Sequence, residues 1–292
     1  MLSSPIYKEE MRPRRSVLSM PADRPRFHDK AQAIAADELI FDLEDSVVAG
    51  AKDAARDQMV ESLRKFAYPG KTVAIRVNAV GSPSFDADIK AALGCTRADS
   101  LVIPKVGSPA EVRELEVLLS KAGRPLALEL QIESASGLEH AGEIAAASEL
   151  VEALHFGPFD LAATLGASVA GTEIPDEIYV HGLIRTLVAA RAAGRQAVDG
   201  PFTDLHDAAG LERSARRAAR LGCDGKWAIH PDQVAAINQS FTPEPAELDR
   251  AKSVLRAYER AVAEGRGAVT LDGEMLDEAT RRWAQGIVAR AR

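Results

Sequence analysis

Cysteine is nearly missing from this chain, with two residues in 292, Cys95 and Cys223. That count excludes a disulfide-stapled secreted scaffold and fits a reducing compartment. Basic charge falls short of acidic charge, 36 Lys and Arg against 43 Asp and Glu, for a net charge of −7. A general nucleic-acid binder needs the opposite balance. Any anionic ligand must therefore be held by a local group of Arg and Lys. No apolar run is long enough to cross a membrane, and the longest weakly polar stretch, residues 156–171, carries Asp160 and Thr164. The opening residues put no apolar core ahead of their charges, so no secretory signal is expected. Glu9 and Glu10 also count against a transit peptide. Residues 1–12 read as a loose tail, and the protein as cytoplasmic. There is no internal repeat and no low-complexity segment.

What the chain does have is globular composition, with 46% apolar and 27% charged residues. It also alternates short β-branched runs with helical patterns, which is the signal of parallel βα units. Eight strands are expected: Arg14–Met20, Glu38–Leu43, Thr72–Asn78, Ser100–Pro104, Leu126–Ile132, Glu152–Phe156, Gln196–Val198 and Gly225–Ile229. The clearest helices between them are Asp23–Ala36, Ala51–Phe66, Pro109–Ala122 and Ile178–Ala193. Gly123 and Gly194 end two of these. Ser108-Pro109-Ala110-Glu111 is a capping box. In the last of the four, Leu183, Ile184, Leu187, Val188 and Arg191 form an apolar stripe. Eight βα units over residues 13–242 predict an α/β fold, a (β/α)8 TIM barrel. A doubly wound open sheet is the alternative. It normally carries a glycine-rich turn after its first strand, whereas this chain has Ser19-Met20-Pro21-Ala22 there.

Residues 243–292 fall outside the eight units and read as a C-terminal helical lid or arm. A helix over Glu247–Glu264 has Leu248, Val254, Leu255 and Val262 on its apolar side. An extended piece with an Asp272-Gly273 turn follows. A last helix, Glu278–Arg290, has Trp283, Ile287 and Val288 on one side.

In a barrel the chemistry sits at the C-terminal ends of the strands. That rim collects Asp42-Leu43-Glu44-Asp45, Arg76, Asn78, Pro104-Lys105, Glu133, Asp160 and His230. Each acid alone could be a helix cap or a solvated charge. Together at one mouth they would repel unless a cation sits among them. Oxygen-only donors favour a hard ion, Mg2+ or Mn2+, with Glu133 and Asp160 as ligands. Alternation along the third strand turns Ala74, Arg76 and Asn78 inward, so Arg76 meets either Glu44 or a substrate carbonyl or carboxylate. Glu129 and Gln131 share the parity of Glu133 and read as a buried polar network. Arg24, Arg26 and Lys30 in the first loop form either an anion site or a solvated turn. His230 is a strand-end core residue or a rim residue. Cys95 and Cys223 read as inert.

These segments, taken in order, carry a resemblance. Arg15-Ser16-Val17-Leu18 with Asp23-Arg24-Pro25-Arg26-Phe27, Phe41-Asp42-Leu43-Glu44-Asp45-Ser46-Val47, Arg76-Val77-Asn78, Ile103-Pro104-Lys105, Gln131-Ile132-Glu133-Ser134, Phe156-Gly157-Pro158-Phe159-Asp160-Leu161 and Gly225-Lys226-Trp227-Ala228-Ile229-His230-Pro231 resemble the citrate lyase β-subunit-like family, which includes malyl-CoA and citramalyl-CoA lyases. The resemblance runs over residues 12–292. It implies a barrel enzyme that cleaves a carbon–carbon bond in a 3-hydroxyacyl-CoA with Mg2+. It implies metal ligands at Glu133 and Asp160, a carbonyl-binding Arg76 with Glu44 beside it, and CoA contacts near Ser19, Arg24, Lys30, Ile229 and His230. Phe159 and Asp160 fall on the substrate side. Thr270-Leu271-Asp272-Gly273 is similar to the family's lid segment, which implies that Asp272 is a catalytic residue serving a neighbouring subunit. That arrangement needs a homo-oligomer, a trimer or a multiple of it. Glu274 departs from the family pattern, which has Lys there.

Two further readings stand beside this one. A citrate lyase β subunit would act on citryl held by a carrier protein. A non-catalytic barrel would bind acyl-CoA as a sensor or scaffold. A related aldolase acting on free hydroxy-ketoacids should not need the basic first loop.

Overall fold

The computed structural model describes residues 11–167 and 174–291. Most of the tail expected over residues 1–12 lies outside them, as does the end of the 156–171 stretch. Arg12–Asn238 forms one compact unit, and the chain from Gln239 onward belongs to a second.

The first unit is a closed barrel of eight parallel strands in sequence order. They are β1 (Ser16–Pro21), β2 (Glu38–Asp42), β3 (Thr72–Arg76), β4 (Ser100–Ile103), β5 (Ala127–Ile132), β6 (Val151–Phe156), β7 (Gln196–Asp199) and β8 (Gly225–Ala228). The ring closes where Ser16, Val17 and Leu18 pair with Lys226, Trp227 and Ala228. Every expected strand is present, with ends shifted by one or two residues. The helices are α1 (Pro25–Ala31), α2 (Lys52–Lys65), α3 (Phe85–Gly94), α4 (Pro109–Lys121), α5 (Ala135–Glu139), α6 (Ala141–Ala145), α7 (Pro158–Thr164), α8 (Asp176–Ala192), α9 (Ala208–Leu221) and α10 (Gln233–Phe241).

Strand alternation divides the buried side chains into two sets. Val17, Ile40, Ala74, Val102, Val198 and Trp227 pack inside the barrel. Leu39, Phe41, Ile75, Leu101 and Ile103 have the opposite parity and are buried beneath the helices. Below the inner apolar layer lies a polar plug. The Arg14 guanidinium, fully buried, bonds Glu38 at 2.8 Å, Glu129 at 3.0 Å and Glu152 at 2.8 Å, and also meets Gln196. Glu129, expected in a buried polar network, belongs to this plug.

Three expected elements differ, α1 and α4 through hydrogen bonds and α8 through packing. The first helix stops at Ala31, well short of Ala36. Tyr68 Oη donates to the His28 carbonyl, which a continuing helix would give to residue 32. On α8 the buried face is Gly182, Leu183, Thr186, Ala189 and Ala190, while Ile184 and Val188 are exposed. A Cβ on Gly182 would lie 2.5 Å from the Phe156 ring, so the helix packs through its small residues and turns its branched ones out. At α4, Ser108 Oγ accepts from Glu111 N as a cap should, but the Glu111 carboxylate accepts from Gly107 N one residue earlier.

The second unit holds α11 (Pro245–Ala263), the antiparallel pair β9 (Val269–Leu271) and β10 (Glu274–Leu276), and α12 (Glu278–Arg290). Asp272 at φ +51° and Gly273 at φ +84° make the two-residue turn that joins the pair. Ala251, Val254, Leu276, Ala284 and Ile287 form its core. Val262 and Trp283, expected on apolar sides, are exposed. Asp277 caps α12 in a capping box with Thr280. No helix among the described residues is long and apolar enough to cross a membrane.

Candidate active site

The mouth of the barrel is assembled from the ends of β2 to β6. Asp42 and Arg76 are direct neighbours in the β2–β3 pairing, and both face inward. Arg76 Nε and Nη2 donate to the two oxygens of Asp42 at 2.7 and 2.6 Å, the fork geometry that suits guanidinium and carboxylate. Asp42 also accepts from the backbone N–H of Glu44 at 2.8 Å and of Ser46 at 3.2 Å, so the loop after β2 wraps around its carboxylate. Arg76 Nη1 lies 3.0 Å from Glu44 Oε2, and the guanidinium sits over the Trp227 ring. Burial alone would lower the Arg76 pKa, but Asp42 and Glu44 raise it above its usual range, so the charge is permanent. Asp42 was not singled out as a site residue from the sequence. The alternation that turns Arg76 inward turns Asp42 inward too, and that signal was available.

Glu44 joins the next pair of strands. Its Oε1 accepts from Lys105 Nζ at 2.7 Å, and Lys105 Nζ lies 3.7 Å from both Asp45 and Asp160. Glu133 follows β5. Its Oε1 accepts from the Lys105 backbone N–H at 2.8 Å, and its Oε2 from Gln131 Nε2 at 3.1 Å. Asp160 comes from the first turn of α7 and is partly exposed. The turn between β6 and α7 passes very close to Glu133. A Cβ at Gly157 would lie 2.3 Å from Glu133 Oε2 and 2.4 Å from its Cβ, so only glycine leaves that carboxylate in place. Burial pushes the Glu133 pKa up to about 8, with Asp160 and Glu44 adding to the rise.

The remaining candidates belong to other elements. Ser19 is half-buried on β1. Arg24, 64% exposed, pairs with Asp23 at 3.4 Å, and Lys30 is exposed on α1. Ile229 and His230 follow β8, which neighbours β1. His230 is exposed and 3.5 Å from Asp232, so it is a rim residue and not a core one. Phe159 is half-buried beside Asp160. Asp272 belongs to the second unit, where its Oδ2 accepts from Arg250 Nη1 at 2.9 Å. The structure thus brings Glu44, Arg76 and Glu133 into one cluster with Asp42 and Lys105, and Asp160 stands 3.7 Å from the Lys105 ammonium. Cys95 and Cys223 are buried and unpaired.

A second group of ligand-type side chains, Glu38, Glu129 and His155, lies in the polar plug within 4.8 Å of one another. Its bonds are already assigned. The Trp227 indole can only donate, and it meets His155 Nδ1 at 2.5 Å, so the proton is on Nε2 and is given to Glu129 at 2.8 Å. The Arg14 guanidinium supplies the positive charge there. This group is a structural plug.

Comparisons with known proteins identify the family. A family model for HpcH/HpaI aldolase/citrate lyase matches residues 15–231. The chain belongs to that family. The lyase family and its malyl-CoA lyase relatives together indicate an enzyme of the carbon–carbon lyase class. It is 37% identical to an L-malyl-CoA/beta-methylmalyl-CoA lyase of Cereibacter sphaeroides over 96% of this chain and 95% of that one. It is 35% identical to a (3S)-malyl-CoA thioesterase of the same organism, with the same two coverages. Among solved structures, the CitE protein of Mycobacterium tuberculosis in complex with magnesium, acetoacetate and coenzyme A superposes with a TM-score of 0.80 at 33% identity, covering 97% of this chain and 99% of that one.

Proposed function

We propose that this family member cleaves the carbon–carbon bond of a 3-hydroxyacyl-CoA thioester, of malyl-CoA or citramalyl-CoA type, giving acetyl-CoA and a 2-ketoacid. One observation carries the reading: a buried carboxylate, Glu133, held beside Asp160 at the barrel mouth and next to a clamped Arg76. The donor set fits a hard divalent cation. Asp42, Glu44, Asp45, Glu133 and Asp160 bring five carboxylates, and Arg76, Lys105 and Lys52 bring three cations. When all are ionised, the deficit equals the charge of one Mg2+ or Mn2+. The donors are oxygens only, which suits either ion. Glu133 and Asp160 would hold it, and when bound it supplies Lewis-acid polarisation of the substrate hydroxyl and carboxylate oxygens.

The chain's own groups do the rest. Asp42 and Glu44 hold the Arg76 guanidinium still, and it keeps N–H donors beyond those they take. These donors stabilise the thioester oxygen, which gains negative charge as the carbon–carbon bond breaks. In that step the hydroxyl passes its proton to a carboxylate of the mouth, its oxygen becomes the carbonyl of the 2-ketoacid, and the bonding electrons leave on the thioester half as an enolate. Asp272 then gives a proton to the enolate carbon, acting in the site of a neighbouring copy within a trimer or a multiple of it. Arg24 and Lys30, with Ser19, Ile229 and His230, bind the CoA portion, and Phe159 lines the acid pocket. Residues 13–242 form the catalytic barrel and residues 243–292 the lid and oligomerisation arm. The protein works in the cytoplasm. The names of the relatives and the CoA and magnesium of the superposed CitE structure support this reading.

The test is product analysis on a panel of malyl-, methylmalyl- and citramalyl-CoA with Mg2+. A 2-ketoacid and a shortened acyl-CoA in equal amounts are expected. Free CoA with the hydroxy diacid intact would make the protein a thioesterase, and no turnover on any of the three would overturn the reading.

A further inference from the structure

Two independent constraints meet at Lys105. The first is in its backbone. Among the described residues, two that are not glycine have positive φ, Lys105 at +55° and Asp272 at +51°. Asp272 sits in a two-residue hairpin turn, which demands that conformation and which aspartate tolerates. Lys105 sits in the turn that Pro104 opens at the end of β4, at the position after the proline where such a turn takes positive φ and usually has glycine. What the left-handed backbone accompanies there is a direction, with the main-chain N–H aimed at Glu133 Oε1 at 2.8 Å. Strain of this kind persists where the surroundings fix it, and it gathers at functional sites.

The second constraint is charge. The Lys105 ammonium bonds Glu44 at 2.7 Å and stands 3.7 Å from both Asp45 and Asp160. One residue therefore touches three carboxylates with its side chain and a fourth with its backbone. It is a fixed positive charge among the groups that would receive a dication.

We propose that Lys105 is a positioning residue that serves as a built-in counter-cation, holding the mouth carboxylates together in the metal-free protein and weakening their grip on a divalent ion by charge repulsion. The inference rests on the reading that Glu133 and Asp160 hold the metal. It has a consequence for that reading: a weakened metal site is completed by the anionic oxygens of the substrate.

The experiment is calorimetric titration of Mn2+ into the full chain, with thermal unfolding of each metal-free protein alongside. Lys105→Met removes the ammonium and keeps the strained backbone. Lys105→Gly removes the ammonium and the strain together, because glycine adopts positive φ freely, and it keeps the comparison readable should the methionine variant not fold. Both variants are expected to bind Mn2+ about tenfold more tightly than the wild type. Metal-free Lys105→Met should unfold at a lower temperature than the wild type, and Lys105→Gly should recover part of that shift. Unchanged or weaker Mn2+ binding in either folded variant overturns the role of Lys105 while leaving the metal reading intact. A wild type that binds no Mn2+ overturns both.

Discussion

Replacing Gly157 by alanine keeps every carboxylate of the mouth and should still disable it. The added Cβ would lie 2.3 Å from Glu133 Oε2, 2.4 Å from its Cβ and 3.1 Å from Cδ. Carbon atoms in packed interiors meet at about 3.5–4.0 Å, so Glu133 must retreat by roughly 1 Å. The backbone at Gly157 has φ −105°, open to any residue, so the whole effect comes from the contact. Overpacking of this kind costs about 1–3 kcal/mol. The retreat also strains the bonds from Lys105 N and Gln131 Nε2 that orient the carboxylate. Disturbing a ligand's orientation typically lowers metal affinity by about 10- to 100-fold. Calorimetric titration with Mn2+ and thermal unfolding measure the two effects on one sample. Gly142→Ala is the control, since a Cβ there meets nothing within 4 Å. If Gly157→Ala binds Mn2+ like the wild type, Glu133 is not a ligand, or the turn is softer than its packing implies.

Arg14→Met should destabilise the barrel by about 3–5 kcal/mol in urea unfolding, because Glu38 and Glu129 would stay buried without their guanidinium; a loss under 1 kcal/mol would show that the plug is not held by charge. His28 is buried and its pKa is lowered by that burial from 6.5. The unfolded chain therefore binds a proton more readily, so this residue's contribution is fully present above pH 6.5 and falls as pH drops below it. The gap in melting temperature between pH 7.5 and pH 5.5 (roughly one unit either side of that value) should be smaller in His28→Gln than in the wild type, and an equal gap contradicts the assignment. Asp272→Asn should keep acyl-CoA binding and lose most turnover. Mixed with Arg76→Ala under subunit exchange it should recover part of the activity, and no recovery after confirmed exchange would sink the trans arrangement.

Much of the fold was legible because one rule, alternation along a strand, acts alone in a barrel. It turned Arg76 inward and set Glu129, Gln131 and Glu133 on one face, after β-branched runs alternating with helical patterns had located all eight strands. The Asp272-Gly273 turn was legible because its residue types are the ones such a turn requires. The helix faces were less so. Periodicity weighs large apolar residues, whereas α8 packs through Gly182 against Phe156 and leaves Ile184 and Val188 outside. At the mouth, Asp42 needed the β2–β3 register to reveal its partner. Lys105 was visible as a rim charge, but a Pro-Lys dipeptide fits several turn types, so the left-handed backbone and its bond to Glu133 could not be read from the sequence.

Where a divalent ion binds is the central question for this protein. Diffraction from crystals soaked in Mn2+, recorded at the manganese absorption edge, locates that ion without reference to activity. The prediction is an anomalous peak at the barrel mouth in contact with Glu133 and Asp160, and none at Glu38, Glu129 and His155, where Arg14 already supplies the charge. A peak in the plug, or none at Glu133, would contradict it.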